Sequence, residues 1–349
     1  MNCSIEISRR DRSFGWEPRG VEALGFLLLF VAVLFIASCS KYPSGPLIFI
    51  TNERSGTISV IDAEKDEVID TIRTGGRPRG IRMSSDGKFV YVAVSAPFTD
   101  QLAEGFDKIL VIDTNGGAIR RSIEVGTDPE QLAVDSKQAL LYVSNEDVGT
   151  ATAVDIETGE AVASLVTGIE PEGVTISPDD RWVYVMAETS NTVTVIDADA
   201  NQVLKTFLVG DRPRDAAFSP DGSRAYVSSE LGQDLSVVDV ATHTVIARVA
   251  LAYNDTVKPV GVLVSPDGGT IFVANGRGNT VSVIDATSLK IVNTIAVGSR
   301  VWGIGLTPNG KKLYAANGLS NDVSVIDVAK GTVTKTIHAG DGPWGVAVR

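Results

Sequence analysis

Three features of the sequence predict an all-β fold, a seven-bladed β-propeller with four antiparallel strands per blade, closed by the C-terminal strand joining the first blade. First, a strand pattern ending in aspartate recurs seven times. The aspartates (Asp62, Asp113, Asp155, Asp197, Asp239, Asp285, Asp327) lie 51, 42, 42, 42, 46 and 42 residues apart. Second, the units carry a tight-turn signature such as Pro220-Asp221-Gly222, Pro266-Asp267-Gly268 or Pro308-Asn309-Gly310, whose residues supply the backbone angles of a hairpin. A β-branched and aromatic run follows, as in Leu141-Tyr142-Val143-Ser144-Asn145. Four short strands per unit, with no helical period, make one propeller blade. Third, the first unit, starting at Leu47-Ile48-Phe49-Ile50, lacks an inner strand, while the chain ends with an extra one, Gly345-Val346-Ala347-Val348-Arg349. Pairing the two ends removes the exposed sheet edges that invite aggregation.

Composition agrees with a single large core. The 349 residues are 44% apolar and 21% charged, with 34 Gly and 14 Pro, as in a globular chain. A domain of about 300 residues buries enough surface to need no disulfide or metal staple. The only cysteines, Cys3 and Cys39, precede the repeats, and there are only two histidines, His243 and His338. Zinc knuckles, Cys-x-x-Cys chemistry and clustered imidazole ligation are thereby excluded from the globular part. A net charge of -12, from 31 basic and 43 acidic residues, argues against nucleic acid as a partner.

The first residues read as an address. Ala23 to Ser38 is uncharged and apolar, preceded by Arg9, Arg10, Arg12 and Arg19. At 1.5 Å per residue this run is shorter than a ~30 Å hydrocarbon core, so it fits a secretory signal better than a permanent span. The ending Ile36-Ala37-Ser38-Cys39 resembles a bacterial lipobox, in which the cysteine is lipidated. The alternative is an uncleaved anchor with an incidental cysteine. The organisation expected is a signal peptide at 1–38, a lipid-anchor linker at 39–46 and a propeller at 47–349. That implies the periplasmic side of a bacterial membrane, with Ser40 after the cysteine pointing to the outer membrane.

The recurrent Tyr-Val-x-Asn and Val-x-Val-Ile-Asp elements resemble the YVTN-type bacterial β-propellers over the whole of 47–349. Unit-specific stretches are similar to a narrower group, the β-propeller proteins associated with PQQ-dependent catabolism. They include Gly76-Arg77-Pro78-Arg79-Gly80, Asp128-Pro129-Glu130, Glu170-Pro171-Glu172-Gly173, Ser228-Ser229-Glu230 and Pro343-Trp344-Gly345. The resemblance implies an exported accessory of quinoprotein alcohol oxidation. A more distant resemblance is to propellers of d-type haem metabolism, although their axial histidine has no counterpart here.

A residue present in every blade serves every blade, so the seven aspartates read as turn acceptors and the second-strand aromatics as core layers between blades. Function is expected where the symmetry breaks. Two longer connections, Ser95 to Asp107 and Leu251 to Lys258, fall on the same face. In the Pro-x-Gly entrance to each inner strand the middle residue varies around the ring: Arg79, Glu130, Glu172, Arg214, Val260, Trp302 and Trp344. Arginines on one side and two tryptophans on the other suit a flat, anionic, conjugated ligand such as PQQ, because guanidinium pairs with carboxylates and indole stacks on rings. The other reading has the tryptophans packed beneath loops and the charges solvating the rim. Glu130 and Glu172 could act as acid and base, or bind calcium as in lactonase-like propellers, but no nucleophile motif or calcium loop accompanies them. His338 could ligate haem or simply be solvated. A third reading is a protein platform whose acidic surface attracts an exported quinoprotein or cytochrome c.

Overall fold

The computed structural model describes residues 40–100, 104–251 and 255–349. The expected signal peptide and the Cys39 lipidation site lie outside the described residues. The chain forms seven four-stranded antiparallel sheets. Blade 1 is completed as expected: Pro343–Val348 is its innermost strand and pairs with Leu47–Asn52, in register Ile48 with Val348 and Ile50 with Val346. Blade 2 begins with the inner strand Arg77–Met83, blade 3 with Pro129–Val134, blade 4 with Pro171–Ile176 and blade 5 with Pro213–Phe218. Blade 6 begins with Val262–Val264 and blade 7 with Val301–Leu306.

Local chemistry sets each hairpin. The Asp ending every third strand accepts a backbone N–H two or three residues on, as Asp155 does from Thr158 at 2.8 Å and Asp285 from Ser288 at 2.7 Å. The other five do the same. Gly222, Gly268 and Gly310 have φ of 69°, 73° and 69°, the left-handed backbone that their turns demand. Second-strand aromatics fill the space between blades: Phe49, Tyr91, Tyr142, Tyr184, Tyr226, Phe272 and Tyr314 are all buried. Each removes enough apolar area from water to contribute roughly 1.5–3 kcal/mol.

Some of these tyrosines also tie neighbouring blades. Tyr142 donates to Asn201 Oδ1 (2.8 Å), Tyr314 donates to Asp66 Oδ1 (2.5 Å), and Tyr184 Oη meets His243 Nδ1 at 2.7 Å. Asp66, Asn201 and His243 share one left-handed turn position, with φ of 55°, 50° and 50°. His243 is therefore a buried tie between blades 4 and 5, and burial holds its pKa below the ordinary histidine value.

Residues 40–46, within the segment expected to be a linker, pack against the propeller. Tyr42 is buried in the core cluster of blades 1 and 2, its hydroxyl bonded to Asp70, and Lys41 pairs with Asp70 at 2.6 Å. An aromatic residue with a nearby carboxylate acceptor gains more from packing than from solvation. Residues 40–46 are thus held on the propeller surface. Arg349 secures them by donating to the carbonyl of Pro43 at 2.7 Å.

Candidate functional site

Four of the seven inner strands start with proline and a fifth has it second, a residue that cannot donate to the ladder and so suits the start of a strand. In most blades the register then shifts, for example between Pro78 and Ile81, Pro129 and Leu132, and Pro171 and Val174. Such a bulge re-aims a side chain. Here it gathers the middle residues of the Pro-x-Gly motifs into one ring across the channel.

The structure brings these residues together, and their neighbours seal that end of the channel. Arg79 is ion-paired to Glu130 and Asp128, and Arg214 to Glu172 and Glu188. Trp302 and Trp344 stack with centroids 5.9 Å apart and planes 26° apart. The guanidinium carbons of Arg214 and Arg300 lie 5.4 and 4.3 Å from the Trp302 ring centre, within cation–π range. Arg79, Glu130, Glu172, Arg214, Val260 and Trp344 are all buried. The arginines thus reach the ring already paired. Glu130 and Glu172 face guanidinium groups rather than each other.

A second tier of charge lies over the first. Arg77 pairs with Asp128 at 2.8 Å, Arg212 with Glu188 at 3.0 Å, and Glu230 lies 3.4 Å from Arg212 and 3.8 Å from Arg300. Glu53 sits 3.8 Å from Arg79, and Glu146 at the same distance from it. The plug therefore contains Arg77, Arg79, Arg212, Arg214 and Arg300 against seven carboxyls: Glu53, Asp128, Glu130, Glu146, Glu172, Glu188 and Glu230. With two more acids than arginines, some carboxyls favour the protonated state. Burial pushes Glu172 well above the usual range despite Arg214, and Glu188 adds to the rise. Burial raises Glu53 and takes Glu146 up to about 7. For Asp128 and Glu188 the arginines outweigh burial, and both stay below the ordinary range. Asp128, Glu130 and Glu146 place carboxylate oxygens within 4.8 Å of one another, with Arg79 as their shared cation.

Sequence reasoning missed this second tier. Its signal is a glutamate directly after the second strand in blades 1, 3, 4 and 5 (Glu53, Glu146, Glu188, Glu230), where the other blades have Ala96, Gly276 and Gly318. The longer connections close over the same end: Arg77 donates to the Ala96 carbonyl at 2.5 Å and lies 4.8 Å from the Phe98 ring, and Val257 is buried. His338 is not brought to the ring. It is exposed at the end of the outermost strand of blade 7, three strand spacings, or about 14 Å, from the inner strand.

Below the plug the channel opens into a cavity of about 480 Å³, lined by inner strands from Arg214 and Trp302 down to Met83, Leu306 and Val348, and by Pro178 of a turn between first and second strands. Its mouth is on the face of these turns, opposite the elaborated loops. The inner strands approach closely because the third motif residue is glycine in five blades. A Cβ on Gly80, Gly173, Gly261, Gly303 or Gly345 would come within 2.3–2.6 Å of a neighbouring carbonyl oxygen. The two exceptions are Gln131 and Asp215, and both side chains line the cavity.

Comparison with known proteins supports the same architecture. The model of the choice-of-anchor I domain matches residues 34–211, and that of the lactonase, 7-bladed beta-propeller, matches 201–349. The uncharacterized protein YncE of Salmonella typhi is 28% identical over 105 residues, a match that spans 28% of this chain and 30% of that protein. Among solved structures, a protein from Lactobacillus plantarum superposes with a TM-score of 0.75 at 19% identity, covering 87% of this chain and 99% of that one. Kuenenia stuttgartiensis hydrazine synthase gives a TM-score of 0.72 at 22% identity, covering 80% of this chain and 92% of that one. These structural likenesses show the fold. The chain is a seven-bladed β-propeller, and it belongs to the choice-of-anchor I domain family, whose model spans half of it.

Proposed function

We propose that the protein is a non-catalytic binding propeller whose site is the central channel, blind at the plug and open on the turn face. The observation that carries this reading is the 480 Å³ cavity with Trp302, Arg214 and Glu172 at its closed end. That volume falls within the range of small-molecule pockets. The arginine pairing of Glu130 and Glu172 supports a structural use of the two carboxylates over acid–base work. The setting proposed is export with a lipid anchor at Cys39, as an accessory in PQQ-dependent alcohol oxidation. On the net charge of -12, a basic exported quinoprotein or cytochrome c is the macromolecular partner proposed.

Trp302 reports on the closed end, so tryptophan fluorescence tests the reading. Titration with PQQ, haem and simple aromatic acids should give saturable quenching by at least one of them, lost in Trp302→Phe. No quenching by any of these compounds would overturn the channel as a binding site. Quenching by haem that depends on His338 and not on Trp302 would move the site to the outer rim.

A further inference from the structure

The cavity is two-sided, and this assigns the chemistry of what it holds. Below the plug residues Glu172 and Arg214, four consecutive blades each contribute one polar side chain to its wall: Arg82 from blade 2, Gln131 from blade 3, Thr175 from blade 4 and Asp215 from blade 5. Blades 6, 7 and 1 line it, beyond the plug, with Leu263, Ile304, Leu306, Val346 and Val348 among residues that are all apolar. We infer that the channel binds a monocarboxylate with an apolar or aromatic body, its head held by Arg82 and Gln131 and its body against blades 6, 7 and 1. This inference rests on the channel being the site.

The polar groups divide into used and unused. Asp215 accepts the backbone N–H of Ala216 at 2.9 Å and of Val262 at 3.1 Å. Burial pushes its carboxyl up, with Arg82 pulling the other way. Asp215 is thus occupied with the backbone of two blades and disfavours a second negative charge against itself. Arg82 gives one N–H to the Ile81 carbonyl at 3.0 Å, and among the described residues no carboxylate lies within ion-pair distance of it. Gln131 is only 8% exposed, its Oε1 has no hydrogen-bond partner, and it projects where most blades have glycine. Buried polar groups without partners are costly and uncommon in folded proteins. A carboxylate ligand that fills the cavity would meet the donors among them.

The free donors call for an anionic acceptor, Gln131 through its amide N–H groups, since its Oε1 is itself an acceptor. The remaining guanidinium N–H groups, the Gln131 amide and the Thr175 hydroxyl supply several donors, and a guanidinium matches one carboxylate bidentately. Arg82 supplies one uncompensated positive charge, since Arg214 at the closed end is held by Glu172 and Glu188. One carboxylate balances it. A tricarboxylate would leave two charges facing Asp215 and Glu172 in a confined space, at the cost that accompanies unpaired buried charge.

The test is calorimetric titration of the full chain with octanoate and 2-naphthoate, each beside its neutral alcohol, octanol or 2-naphthalenemethanol. The acids should bind about tenfold or more tightly than the alcohols, the preference a charge-assisted hydrogen bond confers. Arg82→Gln should remove that preference while leaving alcohol binding and the melting temperature unchanged, and Arg82→Lys should keep part of it. Gln131→Leu should weaken the acids and spare the alcohols. Alcohols binding as tightly as acids, or acid binding indifferent to Arg82→Gln, would overturn the inference and leave the channel reading standing. Binding of neither class, together with no Trp302 response to any compound, would overturn both.

Discussion

Removing Arg214 should be among the most damaging single changes in the plug. In Arg214→Met the apolar stem keeps its packing, but Glu172 and Glu188 lose their buried counter-ion, and Glu230 loses one at 3.5 Å. Truncating one partner of a buried ion pair typically costs about 3–5 kcal/mol, because the other charge stays buried and uncompensated. Two features set where in that range the loss falls. Glu188 retains Arg212 at 3.0 Å, and Glu172 already favours protonation, so the lower half, about 3 kcal/mol, is expected. At roughly 2–4 °C per kcal/mol for a chain of this size, the melting temperature near neutral pH should drop by roughly 6–12 °C. Thermal unfolding followed by circular dichroism reads this directly. Glu172→Leu added to Arg214→Met should recover most of the loss, since the buried charge is then gone with its partner. A single variant melting within 2 °C of the parent, or a double variant no better than the single, would refute the claim that these charges form one paired, buried unit.

Other positions give sharper contrasts. Glu146 has its folded pKa raised to about 7 by burial and by Asp128, so the protonated form favours the folded state. Its stabilisation is complete below its ordinary pKa of 4.5 and is lost as pH rises toward 7. Because Glu146 is partly exposed, the effect should be no more than about 1–2 kcal/mol. The melting temperature should fall over this window in the parent and fall less in Glu146→Gln, as measured by scanning calorimetry at several pH values. Gly303→Ala would place a Cβ 2.5 Å from the Trp344 carbonyl oxygen, whereas Gly310 has open space around it. Gly303→Ala should cost about 1–3 kcal/mol by overpacking, and Gly310→Ala about 1 kcal/mol from its left-handed backbone, a ranking that denaturant titration would check. Tyr184→Phe should cost about 1 kcal/mol by orphaning His243 Nδ1, and its NMR signature should be a changed titration of that histidine.

The fold was legible because each device is repeated. Seven aspartates at near-constant spacing and the mismatch between the first and last strands fix both blade number and closure. The ring was legible for the opposite reason: Arg79, Arg214, Trp302 and Trp344 depart from the repeat at one equivalent position. What could not be read was pairing. That Arg79 meets Glu130 and Asp128 while Arg214 meets Glu172 and Glu188 depends on the curvature that brings neighbouring inner strands together. Read singly, the same arginines look available to an anionic ligand. Gln131 and Asp215 were overlooked because attention fell on the middle residue of Pro-x-Gly. The informative break is the next residue, where a missing glycine puts a side chain into the channel. The packing of Tyr42 and His243 could not be read because their partners, Asp70 and Tyr184, lie 28 and 59 residues away.

We propose one cavity, blind beneath the charged plug, as the place where this propeller binds. A crystal structure of the protein soaked with 2-naphthoate tests it most directly. Density should appear inside the channel, carboxylate at Arg82 and ring against Leu306 and Val346, with the plug arginines still on their glutamates. A ligand seated above the plug among the loops, or an empty channel at saturating acid, would contradict it.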